Sequence, residues 1–264
     1  MPLQKKNDWN PETYGRFRGL RLRPAIDLLM RVADLPFGPI VDLGCGSGQV
    51  GPALKARWPD RKLIGVDNSP NMLEEAEALG CYDALCLADA MEWRADEKPA
   101  LIFSNALCHW LPDHKALFTG YAQMLASGGT LAVQMPRQQL APSHVLMREI
   151  AQRLAPDKFD FSDWQPQVSA PPGYMDFLSP LGTLDLWETE YQQQLAPVTE
   201  GHPVRHFTRS TALRPFEAQM GQAEFQRFLF EYDAALTFLS ERPMTSWATY
   251  FDFDVMNRQD AIVF

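Results

Sequence analysis

The chain has 264 residues, enough for one large domain or for a domain with a sizeable insertion. Hydrophobic content of 46% and charged content of 22% are ordinary for a globular protein, and no apolar run approaches a membrane span. A net charge of -9 argues against nucleic acid or an anionic membrane surface as the main partner, although a local group of arginines can still hold a small anion.

From the N-terminus, Met1 to Pro11 is polar with no apolar signal-like core, which points to a cytoplasmic protein. Residues 12–35 place Leu22, Ile26, Leu29 and Ala33 on one helical face. Pro39 opens a short apolar strand, Ile40 to Leu43, and Val50, Ala53, Leu54 and Trp58 follow at helical spacing. Residues 62–67 read as a second strand. Ser69-Pro70 reads as an N-cap with proline at the first helical position, starting a helix to about Leu79. Strands are predicted at 84–88, at Ala100 to Ser104 and at Thr130 to Met135. Between the last two, Asp113 caps a helix carrying Leu117, Phe118, Tyr121, Met124 and Leu125, which Gly128-Gly129 ends.

Strands alternating with helices at this spacing predict an α/β fold with a doubly wound, mostly parallel, Rossmann-like sheet. After Pro136 the rhythm changes. A helix and a stretch rich in proline, aspartate and aromatics fill 141–180, and Leu184 to Gln194 reads as a strand. One long helix is predicted over 217–240, with Phe225, Phe228, Leu229, Tyr232, Leu236 and Leu239 on one stripe, and a last strand over Gln259 to Phe264. The whole is read as a single domain: a core of about 24–140, 181–195 and 255–264 under a helical cap of about 1–23, 141–180 and 196–254.

The four cysteines, Cys45, Cys81, Cys86 and Cys108, form no C-x-x-C pair, and no histidine lies at zinc-finger spacing. They read as reduced, structural thiols, and no metal is expected.

The chemistry concentrates at Val41-Asp42-Leu43-Gly44-Cys45-Gly46-Ser47-Gly48 and at Asp67 in Leu63-Ile64-Gly65-Val66-Asp67. Glycines at this spacing let the backbone approach a ligand and adopt dihedrals closed to other residues. An acid roughly 20 residues on, at the tip of the next strand, is placed to hold two ribose hydroxyls. Gly46-x-Gly48-x-x-Gly51 also satisfies the dinucleotide pattern. Asp42 breaks the tie, because a carboxylate at the mouth of a pyrophosphate site repels phosphate and suits a cation. S-Adenosyl-L-methionine has a sulfonium, an ammonium and a ribose but no phosphate, so the loop reads as a methyl-donor site.

The same loop resembles the first motif of class I S-adenosylmethionine-dependent methyltransferases. Trp9-Asn10-Pro11-x-x-Tyr14-x-x-Phe17, Arg23-Pro24, Arg57-Trp58-Pro59, Asn105-Ala106, Trp110-Leu111-Pro112-Asp113-His114, Leu131-Ala132-Val133-Gln134-Met135-Pro136, His144-Val145-Leu146-Met147-Arg148-Glu149 and Leu213-Arg214-Pro215 narrow the resemblance to the trans-aconitate 2-methyltransferase family. Ser47, His109 and Ala212 depart from that family's pattern, where proline, glutamine and glycine are usual.

The resemblance implies an S-adenosyl-L-methionine site made by Asp42, Gly44, Gly46, Gly48, Asp67, Asn68, Met72, Asp89, Ala90 and Asn105. Ala106 would add backbone groups for the methionyl ammonium. The acceptor it implies is a small polycarboxylate, trans-aconitate. Arginine suits planar carboxylates, and Arg214 is the first candidate, ahead of Arg258, Arg23, Arg137 and Arg148. Tyr14, His109 and Trp110 are candidate pocket residues. No catalytic base is expected, since a carboxylate is already ionised at neutral pH. A monomer is the default. Two other readings are a methyltransferase for another carboxylate, such as malonyl carrier protein, and a donor-binding module without turnover.

Overall fold

A computed structural model describes residues 18–240 and 254–263. These fall into two compact units, 18–136 with 167–189 and 259–263, and 137–166 with 190–240 and 254–258.

The first unit carries the sheet. Its elements are α1 (Arg18–Arg31), β1 (Ile40–Leu43), α2 (Gly51–Arg57), β2 (Leu63–Asp67), α3 (Pro70–Ala78), β3 (Ala84–Leu87), β4 (Leu101–Asn105), a 3-10 turn at Cys108–Trp110, α4 (His114–Met124), β5 (Thr130–Pro136) and α6 (Pro171–Leu178). β6 (Asp185–Gln194) and β7 (Asp254–Val263) continue the sheet, whose order is β3-β2-β1-β4-β5-β7-β6. The first five strands run parallel, and β7 runs antiparallel to β5, with Ala132 opposite Val263 and Pro136 opposite Gln259.

The near-continuous apolar strands follow from burial on both faces. Val41, Leu43, Ile102, Leu131 and Val133 pack with Phe118 and Tyr121 of α4 and Tyr174 of α6 on one face. The alternate residues Ile40, Leu63, Leu101, Phe103 and Ala132 pack with Leu28 of α1 and Leu54 of α2 on the other. Arg57 and Arg61 fasten the link from α1 to β1. Arg57 donates to the carbonyls of Leu29 and Val32, and Arg61 to those of Leu35, Pro36 and Gly38. The Arg57-Trp58-Pro59 motif is therefore structural in part.

The second unit is helical, with α5 (Pro142–Leu154), α7 (Pro203–Thr208), α8 (Arg214–Gln219) and α9 (Gln222–Ser240). Phe216 of α8 lies 5.4 Å from Phe159 and 5.4 Å from Phe228 of α9, between ring centroids, and Phe228 stacks on Phe225 at 5.8 Å.

The strands and helices expected between residues 40 and 136 appear within a few residues of their expected ends, β7 begins five residues before its expected start, and the expected start of α1 lies outside the described residues. Four points differ from the sequence reading. The helix predicted over 217–240 is two helices, because Met220 leaves the helical region and Gly221 follows it before α9 begins. α7 carried no recognised periodic signal, being six residues long. Residues 167–180, read as cap, belong with the sheet, since Val168, Tyr174 and Leu178 are fully buried in its core. Residues 18–23, also read as cap, form the first turns of α1.

Candidate functional site

β1 is flanked by β2 on one side and β4 on the other, so the chain winds outward in both directions from it. A ligand belongs at the carboxyl ends of strands at such a switch point. Register brings the ends together: Leu43 pairs with Val66, Asp67 with Leu87, and Asn105 with Gln134.

The loop after β1 turns back on itself. Gly44 and Cys45 N–H groups donate to the Val66 carbonyl at 2.8 and 3.0 Å, and Gly48 N–H donates to the Cys45 carbonyl at 2.9 Å. Gly44, Gly46 and Gly48 take φ of 73°, 53° and 78°, the left-handed region open to glycine. At Gly46 a side chain would meet nothing within 4 Å, so open space borders the loop there.

Asp67, at the tip of β2, braces this loop. One of its oxygens accepts from Gly46 N–H and the other from Ser69 N–H, both at 2.9 Å. A carboxylate oxygen can accept from more than one donor, so the same group is chemically suited to a ribose hydroxyl. Ser69 Oγ accepts from Met72 N–H and caps α3, so the carboxylate ties the glycine loop to a helix start. Met72 is buried, whereas Asn68 is exposed.

Asp42 is 2% exposed. Its Oδ2 accepts the Tyr82 hydroxyl at 2.7 Å. Burial pushes its carboxyl up to about 7, the Tyr82 hydrogen bond opposes that rise, and the charge of Asp67 adds to it. Oδ1 takes no hydrogen bond from the described residues. A half-neutral buried acid gains from a cation that restores its charge.

On the other side of β1, Asn105 Oδ1 is buried without a hydrogen-bond partner. Ala106 follows with φ 54°, a strained conformation for a residue with a Cβ, held by its N–H to the Gln134 carbonyl at 2.9 Å. Asp89, beyond β3, is half-buried and accepts from Met91 N–H at 3.0 Å, and Ala90 beside it is buried. An undonated carboxylate oxygen, an orphaned amide oxygen and a glycine cradle together fit a ligand carrying an ammonium, a ribose and no phosphate.

His109 and Trp110 sit in the 3-10 turn after β4, their rings 4.7 Å apart, with Trp110 40% exposed. The turn is anchored by His114, whose Nε2 binds the Cys108 carbonyl at 2.9 Å and whose Nδ1 meets Tyr174 Oη at 2.7 Å.

The structure does not place every expected residue in the sheet unit. Arg214 is in the helical unit, half-buried at the start of α8, with its N–H bonded to the Thr211 carbonyl. Arg148, also in that unit, lies 3.9 Å over the Trp164 ring. Arg137 belongs to the same unit, and Arg23 in α1 meets Asp27 at 3.9 Å. Arg258 is on β7, where only the backbone is described, and Tyr14 lies outside the described residues. Tyr82 was missed by sequence reasoning. Its trace was present in Gly51 and Gly65, two glycines that the loop itself does not require.

Residues 40–129 match the sequence profile of a methyltransferase domain. The chain is similar to the trans-aconitate 2-methyltransferase of Methylobacterium radiotolerans, 38% identical over 237 residues that span 87% of this chain and 89% of the relative. With the Streptomyces coelicolor protein of the same name it shares 41% over 249 residues, 86% of this chain and 78% of the other. In structure it resembles the YcgJ protein of Bacillus subtilis, with a TM-score of 0.55 at 13% identity, over 90% of this chain and 96% of that one. It also resembles Haemonchus contortus phosphoethanolamine N-methyltransferase 2, solved with S-adenosyl-L-methionine, with a TM-score of 0.51 at 17% identity over 91% and 52%. At those identities the structural likenesses speak for the fold.

Proposed function

This chain belongs to the trans-aconitate 2-methyltransferase family, a family of S-adenosyl-L-methionine-dependent enzymes, and from that premise we propose that it converts a carboxylate of trans-aconitate into its methyl ester. The observation that carries the reading is the undonated edge at β1 and β4. Asp42 Oδ1 and Asn105 Oδ1 await donors there, beside a glycine loop braced by Asp67.

When bound, the methyl donor supplies a sulfonium methyl group, which a carboxylate oxygen of the acceptor takes while the carbon–sulfur electron pair returns to sulfur. The residues have a positioning task. Asp67 receives the ribose hydroxyls. Asp42 and Asn105 receive the methionyl ammonium, with Asp42 made fully anionic by it. Gly44, Gly46 and Gly48 let the backbone come close, and Asn68, Met72, Asp89 and Ala90 line the nucleoside end. No residue has to remove a proton, because the acceptor carboxylate is ionised above about pH 4. The rate then comes from alignment of oxygen, methyl and sulfur and from exclusion of water.

An acceptor with several carboxylates calls for cationic forks, and Arg214 is assigned that role first. His109, Trp110, Tyr14 and Arg258 are assigned to the acceptor as well. No helix among the described residues is long and apolar enough to cross a membrane. The acidic balance suits an enzyme acting on a small metabolite rather than on nucleic acid, and a cytoplasmic monomer is the default reading.

The test is release of S-adenosylhomocysteine with trans-aconitate, cis-aconitate, isopropylmalate, citrate and malonyl carrier protein offered in turn. Turnover confined to trans-aconitate supports the reading, and turnover on another acid moves the acceptor. Silence across the panel sinks it. Arg214→Ala should raise KM for the acceptor at least tenfold while leaving donor affinity within twofold. The size is that expected when a charged hydrogen-bond partner is removed.

A further inference from the structure

Tyr82 lies in the link between α3 and β3, and three glycines, one in the loop after β1, one in α2 and one in β2, make room for its ring. A side chain at Gly48 would come within 3.0 Å of Tyr82 Cε2, one at Gly51 within 2.6 Å of Cζ and Oη, and one at Gly65 within 3.1 Å of Cδ1. Gly48 also needs its positive φ. Gly51 and Gly65 do not, so it is the packing around them, the ring included, that requires glycine there. The Gly46-x-Gly48-x-x-Gly51 spacing that imitates a dinucleotide fingerprint is, in this chain, partly a socket for an aromatic side chain.

The ring delivers its hydroxyl to one atom, Asp42 Oδ2, at 2.7 Å. We propose that Tyr82 is a positioning residue for the methyl donor: its socketed ring holds the Asp42 carboxylate so that Oδ1 is presented to the donor's ammonium. The proposal rests on the functional reading above.

The geometry has two consequences. A carboxylate held by one hydrogen bond in a buried site cannot turn to satisfy both oxygens on the protein, so its remaining acceptor stays available. The same bond stabilises the ionised form, against burial and against Asp67. The other titratable groups facing this pair are Cys45 in the loop and Cys81 beside Tyr82, and burial pushes both thiols up, so they stay neutral. The Tyr82 hydroxyl is likewise pushed up by burial and by the charge of Asp42, so it remains a donor throughout the useful pH range.

The experiment is calorimetric titration of S-adenosyl-L-methionine into the full chain, the Tyr82→Phe variant, the Asp42→Asn variant and the double variant, between pH 6 and pH 9. Phenylalanine keeps the ring in its socket, so thermal melting should stay close to the parent. Expected results are donor binding weakened roughly tenfold at pH 7, the order for losing a hydrogen bond to a charged group. The acid limb of the affinity profile should also move to higher pH. In the Asp42→Asn background the Tyr82→Phe change should cost less than twofold. At saturating donor, kcat should fall less than affinity does.

A Tyr82→Phe variant that binds the donor like the parent, with an unmoved pH profile, overturns the proposal. So does a loss of equal size with and without Asp42, since that would be a structural effect of the ring. If the parent itself binds no donor, the functional reading falls first and this assignment with it. If Tyr82→Phe melts far below the parent, the Asp42→Asn variant still decides the matter: a parent-like pH profile there removes Asp42 from the site.

Discussion

At the carboxyl edge of the sheet, Asp42 is buried with one oxygen undonated, and Asn105 Oδ1 is buried with none to receive. In the helical unit the buried charges meet each other. Arg205 Nη1 lies 3.1 Å from Asp233, whose other oxygen accepts from His202 N–H, and the two side chains are only 13% and 19% exposed. At its surface, Arg153 and Arg227 both reach Glu231, and Lys158 reaches Glu224. Among the described residues, the helical unit pairs its buried charges and leaves only neutral atoms, Gln139 Oε1 and Tyr232 Oη, buried without partners, whereas the sheet edge leaves an oxygen of a buried acid undonated beside the Asn105 amide oxygen, at a cost to the empty protein. A buried charge without its partner, next to a glycine loop, is what separates the sheet edge from the helical unit.

Substitution of Asp67 is the largest way to break this comparison. Asp67→Ala removes the ribose acceptor and also the brace on Gly46 and Ser69. Donor affinity should fall about 100-fold or more, the sum expected for two hydrogen bonds to a charged group, and calorimetric titration measures it. The helical unit should answer the opposite way. Asp233→Ala leaves Arg205 buried without its carboxylate and should lower unfolding free energy by about 2 kcal/mol, less than a fully buried pair would cost because some water reaches it. Donor affinity should stay within twofold. Urea denaturation together with the same titration separates the two outcomes, and a donor defect in Asp233→Ala would collapse the distinction between the regions.

Asp42 gives the comparison a pH dependence. With its carboxyl pushed up to about 7, the site loses its anion as pH falls below that value, so donor affinity should weaken toward tenfold per pH unit there. Asp42→Asn should flatten that limb. Stability runs the other way. The folded chain holds this proton between about pH 4 and 7 while the unfolded chain has released it, so the contribution of Asp42 to stability falls as pH rises through that window. Without donor, Asp42→Asn should therefore be at least as stable as the parent at pH 8, checked by urea denaturation. A marked loss would mean that the ionised carboxylate is already compensated inside the protein.

Much of the sheet unit was legible in the sequence because its signals are local. Ser69-Pro70 and Asp113 do cap helices, accepting from Met72 and Ala116 N–H, and the apolar runs are strands because both faces are buried. That Asp42, Asp67 and Asn105 lie together at one edge could be read from the sequence because strand ends converge by topology, whatever their side chains do. Tyr82 was not legible, since what defines it is contact with Gly48, Gly51 and Gly65 across 17 to 34 positions of chain, visible only once β1, β2 and α2 are assembled. Residues 167–180 were misassigned for a similar reason. Proline and aspartate dominate their neighbourhood, while the few residues that decide their place, Val168, Tyr174 and Leu178, are buried against distant strands. The break at Met220 and Gly221 went unread because the apolar stripe was followed only from Phe225 onward, although buried Phe216 and Met220 would fall on the opposite side of one continuous helix.

The smallest expected effect concerns a polar group of the sheet unit that, unlike Asp42, is fully used. His114 Nε2 meets the Cys108 carbonyl, so it carries the proton, and Nδ1 must then accept from the Tyr174 hydroxyl. Burial holds the imidazole below its ordinary range and keeps it neutral. Below about pH 6.5 the unfolded chain takes up a proton that the folded chain resists, so the contribution of His114 to stability is present at pH 8 and declines as the solution is acidified. Tyr174→Phe should cost about 1 kcal/mol at pH 8, the net value of one buried hydrogen bond. That cost should shrink toward pH 5.5, because without the hydroxyl that holds Nδ1 as an acceptor the variant's imidazole takes up a proton more readily than the parent's. Urea denaturation of both proteins at the two pH values checks it. A cost that stays constant with pH would reverse the tautomer, with Nδ1 donating to Tyr174, and would leave the Cys108 carbonyl, and the turn carrying His109 and Trp110, held by something other than His114.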